Sequence, residues 1–310
     1  MGLFDNKKKL CPICGNPTPR LLATKIEGTP ICKECFEKVD LPDGMVDNMS
    51  MSEFRNYITY YENNQVLRDR YKENCRQTFG LFTGGMAMDT YNRLFRLNII
   101  NTGLVMEASN LKKFRILEGG KPLFEGTAAG LRVYDTGIEE RVSALQPQLM
   151  MYKREMERRK EDRDGDGKPD NKSFTNGMLP ELPLPFQKFQ IELTLEHPYW
   201  QYRTWEMDGP MFDRNYPRID SYLNQYRQMA EELRAFALNL MHILNPAAGE
   251  ITEEEAMAAA IQAAQIVNRE PVAAQSANAV EEIKKYKDLL DAGIITEEEF
   301  SAKKRQLMGI

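Results

Sequence analysis

Histidine is nearly absent from this sequence. The 310 residues include two histidines, His197 before a proline and His242 inside an apolar helical pattern, and neither lies in a metal-binding or nucleophile motif. The chain also lacks a phosphate-binding loop, a dinucleotide-binding glycine pattern, a Gly-x-Ser-x-Gly elbow and a His-Glu-x-x-His motif. These absences argue against the common hydrolases, metalloproteases and nucleotide-dependent enzymes, so we expect a protein without catalytic activity.

Long apolar runs and a dominant sign of charge are missing as well. No stretch of about 18 apolar residues occurs, which argues against a transmembrane helix. The lysines near the N-terminus are not followed by an apolar run, so they do not resemble a secretory signal. The 41 basic and 46 acidic residues give a net charge of −5, too balanced to attract nucleic acid or anionic lipid as a whole. We therefore expect a soluble, cytoplasmic protein.

Cysteine is scarce, but four of the five cysteines form two close pairs. Cys11 and Cys14 have two residues between them, and Cys32 and Cys35 repeat this spacing after a gap of 17 residues. Two intervening residues bring both sulfurs of a pair to one metal ion, and four thiolates complete a closed tetrahedral shell around Zn²⁺. The four cysteines are therefore predicted to bind one structural zinc ion.

Zinc ribbons often bind nucleic acid, so the charge around these cysteines matters. Residues 1–40 contain seven Lys or Arg and five Asp or Glu. A zinc ion with four thiolates adds two negative charges, which brings the segment close to neutrality. Without a basic face, the salt-dependent attraction to phosphates is missing. This argues against nucleic-acid binding, although a nucleic-acid-binding regulator that uses the zinc ribbon remains an alternative.

Helical patterns stand on both sides of a β region. Ser50 and Glu53 have the spacing of a capping box and are followed by a stripe of apolar residues. They predict a helical connector over residues 46–78. After Pro217, apolar residues repeat every three to four positions up to residue 244, which predicts a long helix that packs along a sheet.

Between the helices, short apolar runs punctuated by glycine predict antiparallel strands. The clearest strand is 189–195, in which apolar and polar residues alternate, as expected when one face is buried and the other is wet. A charged segment near 138–180 interrupts the β region. Its mixed charges predict a solvated helix, and the whole of 79–246 reads as one α+β domain.

An Asp-rich loop in the insertion resembles part of a calcium-binding loop. Asp162, Asp164, Asp166 and Asp170 occupy oxygen-ligand positions of an EF-hand loop, with glycine at the sixth position. Position 12 is Ser173, so the bidentate glutamate that completes such a site is absent. Two interpretations stay open, a weak Ca²⁺ site and an acidic surface loop.

The last thirty residues predict a helical hairpin with an apolar stripe. A hairpin of this size cannot bury enough apolar surface to be stable alone. Its apolar residues should therefore contact another copy or another protein, or alternatively dock on the β domain of their own chain. The predicted contact residues are Ile283, Tyr286, Leu290, Ile294, Ile295, Phe300 and Leu307.

Both ends of the chain resemble known modules. The sequences CPICG at 11–15 and GTPICKEC at 28–35 resemble an N-terminal zinc-ribbon domain of unknown function that is frequent in Gram-positive bacteria and their phages. The sequence LLDAGIITEEEF at 289–300 resembles the short C-terminal domain called SHOCT. In proteins with both ends, the middle often resembles a bacterial pleckstrin-homology-like (PH-like) fold. The resemblance implies an adaptor or an oligomerisation function.

The predicted architecture is α+β and has five segments. They are a four-cysteine zinc ribbon (1–45), a helical connector (46–78), an antiparallel PH-like domain with a long C-terminal helix (79–246), an Ala-rich helix and linker (247–278), and a SHOCT hairpin (279–310). We expect structural Zn²⁺, and either a protein partner or a second copy. The alternatives are a nucleic-acid-binding regulator and a phage or envelope-associated component whose middle domain contacts a membrane or coat.

Overall fold

The structure, a computed structural model, describes most of the chain. The described residues are 9–19, 21–80, 84–99, 103–164, 181–259, 261–262, 287 and 300, without the side chains of 160–164. The chain divides into two compact units, Met1–Ile251 and Thr252–Ile310. Helices and antiparallel sheets are both present in the described part, which confirms the α+β class.

Among the described residues, the N-terminal part combines a small hairpin with three α-helices and a short 3-10 helix (Val46–Asn48). Its elements are β1 (Lys25–Ile26), β2 (Thr29–Pro30), α1 (Lys33–Glu37), α2 (Met51–Asn63) and α3 (Gln65–Arg70). The predicted capping box begins α2, because Ser50 accepts a hydrogen bond from the Glu53 backbone and the Glu53 carboxylate accepts one from the Ser50 backbone. The hairpin residue Ile26 and the α2 residue Phe54 are buried in one apolar cluster. The ribbon and the first connector helix therefore share a core.

A four-stranded antiparallel sheet follows, with strands in sequence order. Its strands are β3 (Cys75–Thr78), β4 (Gly85–Asp89), β5 (Leu94–Arg96) and β6 (Met106–Glu107). The sheet starts at Cys75, inside the segment that the sequence predicts as helical connector. Strand β4 is buried along its length, so its backbone N–H and C=O groups need a partner strand on this edge, and β3 supplies it.

The second sheet has five antiparallel strands in the order β11-β10-β7-β8-β9. These strands are β7 (Leu111–Glu118), β8 (Lys121–Thr127), β9 (Gly130–Val133), β10 (Lys188–Leu195) and β11 (Tyr202–Asp208). In β10 the side chains of Phe189, Ile191 and Leu193 are fully buried, which confirms the alternation read from the sequence. The strand ends before His197, and β11 begins after a short turn at Tyr202.

The charged insertion lies between β9 and β10. It contains α4 (Ile138–Ser143) and α5 (Gln146–Asp164), two helices where the sequence predicts one. Leu149 and Tyr152 of α5 are buried, whereas Lys153 is exposed, so α5 has the solvated face that was predicted. On this helix Glu155 accepts a hydrogen bond of 2.8 Å from Nε of Arg159, four positions later, as is common on exposed helix faces.

The long helix α6 (Ile219–Leu244) closes the core of the first unit, as predicted. Phe236 of α6 belongs to the same buried cluster as Met86 of β4 and Phe114 of β7, so the helix packs with both sheets. Arg93 holds the end of α6, because its guanidinium donates to the carbonyls of Ile243 and Leu244, each over 2.8 Å. These bonds satisfy two of the carbonyls that a helix leaves free at its C-terminus.

The second unit begins with the Ala-rich helix, which is described over residues 253–259 and 261–262. A capping box begins this helix: the Thr252 backbone N–H donates to the Glu255 carboxylate over 2.7 Å, and the Glu255 backbone donates back to the Thr252 hydroxyl over 3.3 Å. The boundaries that the sequence places at residues 278 and 279 lie outside the described residues.

Candidate metal centre

Four cysteine sulfurs meet at one point of the N-terminal part. The Sγ atoms of Cys11, Cys14, Cys32 and Cys35 all lie within 4.8 Å of one another. Cys11 Sγ is 3.9 Å from Cys35 Sγ, and Cys14 Sγ is 3.3 Å from Cys32 Sγ. These distances are far longer than a disulfide bond of about 2.05 Å. The structure therefore brings together all four predicted ligands as free thiols.

The first cysteine pair is shaped by a tight backbone turn. The Gly15 N–H donates to the Cys11 carbonyl over 2.9 Å, and the Cys11 N–H donates to the Asn16 carbonyl over 2.8 Å. Gly15 has a φ of +77°, a left-handed conformation that costs glycine little and a residue with a side chain more. The turn directs Cys11 and Cys14 to the same side, so the glycine after the pair has a physical reason.

The second pair is presented by the start of α1. Cys32 is the N-cap residue of this helix, and its sulfur accepts a hydrogen bond of 3.4 Å from the Cys35 backbone. The β1–β2 hairpin leads into the pair through a two-residue turn at Glu27 and Gly28, both with positive φ, the geometry of a tight hairpin. Ile31 then fixes the approach to Cys32, because its N–H donates to the Thr24 carbonyl over 3.0 Å.

The four thiols need a cation to ionise together. Burial and the neighbouring sulfurs of Cys14 and Cys32 raise the pKa of the Cys35 thiol. Burial also raises the pKa of Cys11, but backbone N–H groups of Cys14 and Cys32 outweigh it and bring the value down to about 7. A divalent cation at the centre would outweigh the repulsion between the four thiolates and displace the thiol protons, as zinc does in thiolate sites.

The donor set fits zinc. Four sulfurs around Zn²⁺ lie about 3.8 Å apart when each Zn–S bond is about 2.3 Å, and the separations of 3.3 and 3.9 Å bracket that value. Cys11, Cys32 and Cys35 are buried and Cys14 is exposed. Four protein thiolates leave no coordination position for water or substrate. A closed shell of this kind is typical of structural zinc sites, in which the metal stabilises the fold.

Helix α2 is hydrogen-bonded to the first cysteine loop and to the hairpin that leads into the second cysteine pair. Arg55 donates to the carbonyl of Pro12, which lies between the first two cysteines, over 3.1 Å. At the start of the same helix, the Met51 N–H donates to the carboxylate of Glu27 in the hairpin turn over 2.9 Å. The cysteine loops and α2 therefore depend on each other for their position.

Asp40 joins the ribbon to the β domain, a role that the sequence did not reveal. Its carboxylate accepts hydrogen bonds from the Asn98 side chain at 2.8 Å and the Leu104 backbone at 2.7 Å. Its carbonyl accepts one from the Trp200 indole at 3.0 Å, and its N–H donates to the Tyr57 hydroxyl over 2.7 Å. Asp40 is followed by Leu-Pro-Asp-Gly, a pattern that indicates a turn and gives no sign of these distant contacts.

His197 is a second buried polar residue whose role emerges only from the structure. Its Nδ1 accepts hydrogen bonds from the backbone N–H groups of Tyr199 at 3.2 Å and Trp200 at 3.1 Å. Because Nδ1 accepts, the neutral ring carries its proton on Nε2, which donates to the Tyr60 hydroxyl over 2.8 Å. Burial lowers the pKa of His197 from 6.5 to about 4. The neutral ring thus shapes the turn between β10 and β11.

The other predicted site residues are only partly described. Asp162 and Asp164 lie in the last turn of α5, and Asp166 and Asp170 fall outside the described residues, so the Ca²⁺ site stays a prediction. In the predicted contact stripe, Phe300 is helical and half-buried. The remaining members lie outside the described residues, and they are Ile283, Tyr286, Leu290, Ile294, Ile295 and Leu307.

Across the described ranges, no helix combines the length and the apolar character needed to cross a lipid bilayer. The chain matches no curated protein and no solved structure. One family model does match, SHOCT, described as a short C-terminal domain, and it covers residues 281–308. The resemblance read from the sequence is thereby confirmed for this segment, which is a SHOCT domain.

Proposed function

We propose that this protein is a non-enzymatic adaptor that joins proteins, or copies of itself, through its C-terminal segment. The observation that carries the proposal is the SHOCT match at residues 281–308. The segment is too short to bury a core of its own, so apolar residues such as Leu290 and Leu307 gain stability by covering a partner surface. Self-association is the form of contact that needs no further component.

In this proposal the first unit, Met1–Ile251, is the folded part that the C-terminal contact brings to a partner or to a second copy. Its N-terminal part is organised by the four-cysteine centre, and Zn²⁺ is the metal that this donor set favours. Two antiparallel sheets with α6 packed against them support a PH-like middle domain. The β10–β11 hairpin pairs with β7 after the charged insertion, and in this proposal it is an addition to that fold. A cytoplasmic location and a bacterial or phage origin belong to the same proposal.

Sedimentation velocity tests the self-association form. The zinc-loaded full chain should sediment as an assembly of two or more copies whose population grows with concentration. A chain that ends at Asn278 should sediment as a monomer, since it keeps the whole first unit and lacks the SHOCT domain. Equal monomers at all concentrations would mean that the chain does not self-associate.

Matched point variants separate the apolar stripe from a general charge effect. Leu290→Glu places a charge in the predicted stripe and should abolish assembly. Lys287→Glu changes an exposed helical position and should leave assembly intact. If both variants assemble normally, the stripe does not mediate the contact.

A further inference from the structure

The structure contains an open cleft that neither the zinc centre nor the SHOCT domain uses. Its volume is about 700 Å³, and it is lined by Tyr199 and by the segment that leads from the ribbon into α2. This volume falls within the range of about 300 to 1,000 Å³ that is typical of ligand sites. The cleft is therefore large enough for a long side chain.

One part of the cleft wall is apolar and held in place. Met45 and Met49 are half-buried and pack against the apolar cluster that the ribbon shares with α2. The ring of Tyr199 meets Tyr57 edge to face at 5.1 Å and Tyr60 at 5.3 Å. Thioethers and an aromatic face are good contacts for the methylene stem of a long side chain, and the face of a tyrosine also attracts a cation.

The polar part of the wall carries two negative charges without a cation. Among the described residues, the side chain of Asp43 makes no hydrogen bond or ion pair, and the carboxylate of Glu53 bonds only to Ser50 within the capping box. The cleft is lined by no lysine, arginine or histidine among the described residues. Carboxylates beside apolar walls create a negative potential that is focused in the cleft.

The open side of the cleft indicates which kind of ligand it can bind. Asp43, Glu53 and Asn56 are exposed, so the cleft is open along one side. A free small molecule gains most when a pocket buries about 70 to 90% of its surface. An open cleft suits a side chain whose backbone lies outside on the protein surface.

We infer that this cleft binds the basic side chain, arginine or lysine, of a peptide partner. Its ammonium or guanidinium group contacts Asp43 and Glu53, while its stem lies against Met45, Met49 and Tyr199. The site lies in a different part of the chain from the SHOCT domain, so it gives the adaptor a second point of contact.

Fluorescence anisotropy with the zinc-loaded full chain tests this inference. The probes are labelled hexapeptides that differ at one central position, which is Arg, Lys, Gln or Glu. The Arg and Lys peptides should bind about tenfold more tightly than the Gln peptide, and this preference should shrink as NaCl rises from about 0.05 to about 0.5 M. Equal affinity for the Arg and Gln peptides would overturn the inference.

A double variant and a matched control locate the binding. Asp43→Asn with Glu53→Gln removes both charges, and the Gln side chain can still accept the Ser50 cap. It should bind the Arg peptide about tenfold more weakly. Asp47→Asn removes a neighbouring exposed charge that does not line the cleft and should have little effect. Unchanged binding by the double variant would place the peptide elsewhere.

Two further measurements use the unsubstituted chain, so their outcome does not depend on whether a variant folds. One of them distinguishes a peptide from a small cation. In the unsubstituted chain, the Arg peptide should shift the methyl resonances of Met45 and Met49, and binding without such shifts would contradict the proposed site. Spermidine should compete only weakly with the peptide. If spermidine binds as tightly as the peptide, the cleft is a small-cation site and the peptide assignment is wrong.

Discussion

The neutral state of His197 predicts a specific loss of stability in acid. The folded pKa is about 4 and the ordinary value is 6.5, because the ring is buried. Protonation would also place an N–H on Nδ1, where the backbone N–H groups of Tyr199 and Trp200 already donate. The unfolded chain therefore takes up a proton at this residue between pH 6.5 and pH 4, and the folded chain does not.

The size of this loss of stability follows from the linkage between proton binding and folding. A group with a depressed folded pKa contributes stability that is present above the unfolded pKa and is lost as pH falls towards the folded pKa. For His197 the loss is about 2 kcal/mol at pH 5 and about 3 kcal/mol when the window is crossed completely. The loss should be concentrated between pH 6.5 and pH 4.

Urea unfolding at pH 7.5 and pH 5, compared between the unsubstituted chain and His197→Asn, measures this contribution. Asparagine keeps an acceptor near the Nδ1 position but does not titrate. Loss of zinc from the thiolates weakens both chains in acid, so the difference between them isolates His197. The unsubstituted chain should lose about 2 kcal/mol more than the variant. Equal losses would refute the assignment of a buried, neutral histidine.

Three further predictions concern the metal centre and two buried carboxylates. Cys14→Ser, or chelation of the metal, should remove a centre worth about 10 to 16 kcal/mol of folding free energy. Because α2 shares the core of the ribbon, the helical circular dichroism signal should decrease when zinc is released. An unchanged signal would show that α2 folds independently of the metal centre. Asp40→Ala should destabilise by about 2 to 3 kcal/mol, since it leaves the Leu104 N–H and the Asn98 amide without their acceptor, and Asp43→Ala, at an exposed position, is the control in urea unfolding. Glu118→Gln should cost about 3 kcal/mol, because this fully buried carboxylate pairs with Arg141 and accepts from Tyr226; a thermal melt that does not move would contradict this.

Local patterns in this sequence predicted local structure well. The capping box at Ser50 and the alternation in β10 both depend on residues within a few positions of one another. The four cysteines were predicted in a similar way, because the fixed spacing within each pair and the chemistry of zinc bring two short segments to one point. In such cases the chain itself carries the geometric information.

What the sequence could not predict depends on contacts between distant residues. Asp40 bonds to Trp200, 160 positions away, and to Leu104, 64 positions away, and no spacing rule connects them. His197 looked isolated because its partner Tyr60 lies 137 positions earlier. Strand β3 follows a helical pattern directly, and its pairing with β4 determines its conformation more than its own four residues do.

Native mass spectrometry of the full chain and of Cys14→Ser tests most directly whether the four cysteines bind one zinc ion. The unsubstituted chain should carry one zinc ion per chain, bound with the loss of cysteine protons, and the variant should carry none or bind it far more weakly. A folded, zinc-free chain, or a variant that binds zinc as tightly as the unsubstituted chain, would contradict the four-thiolate centre.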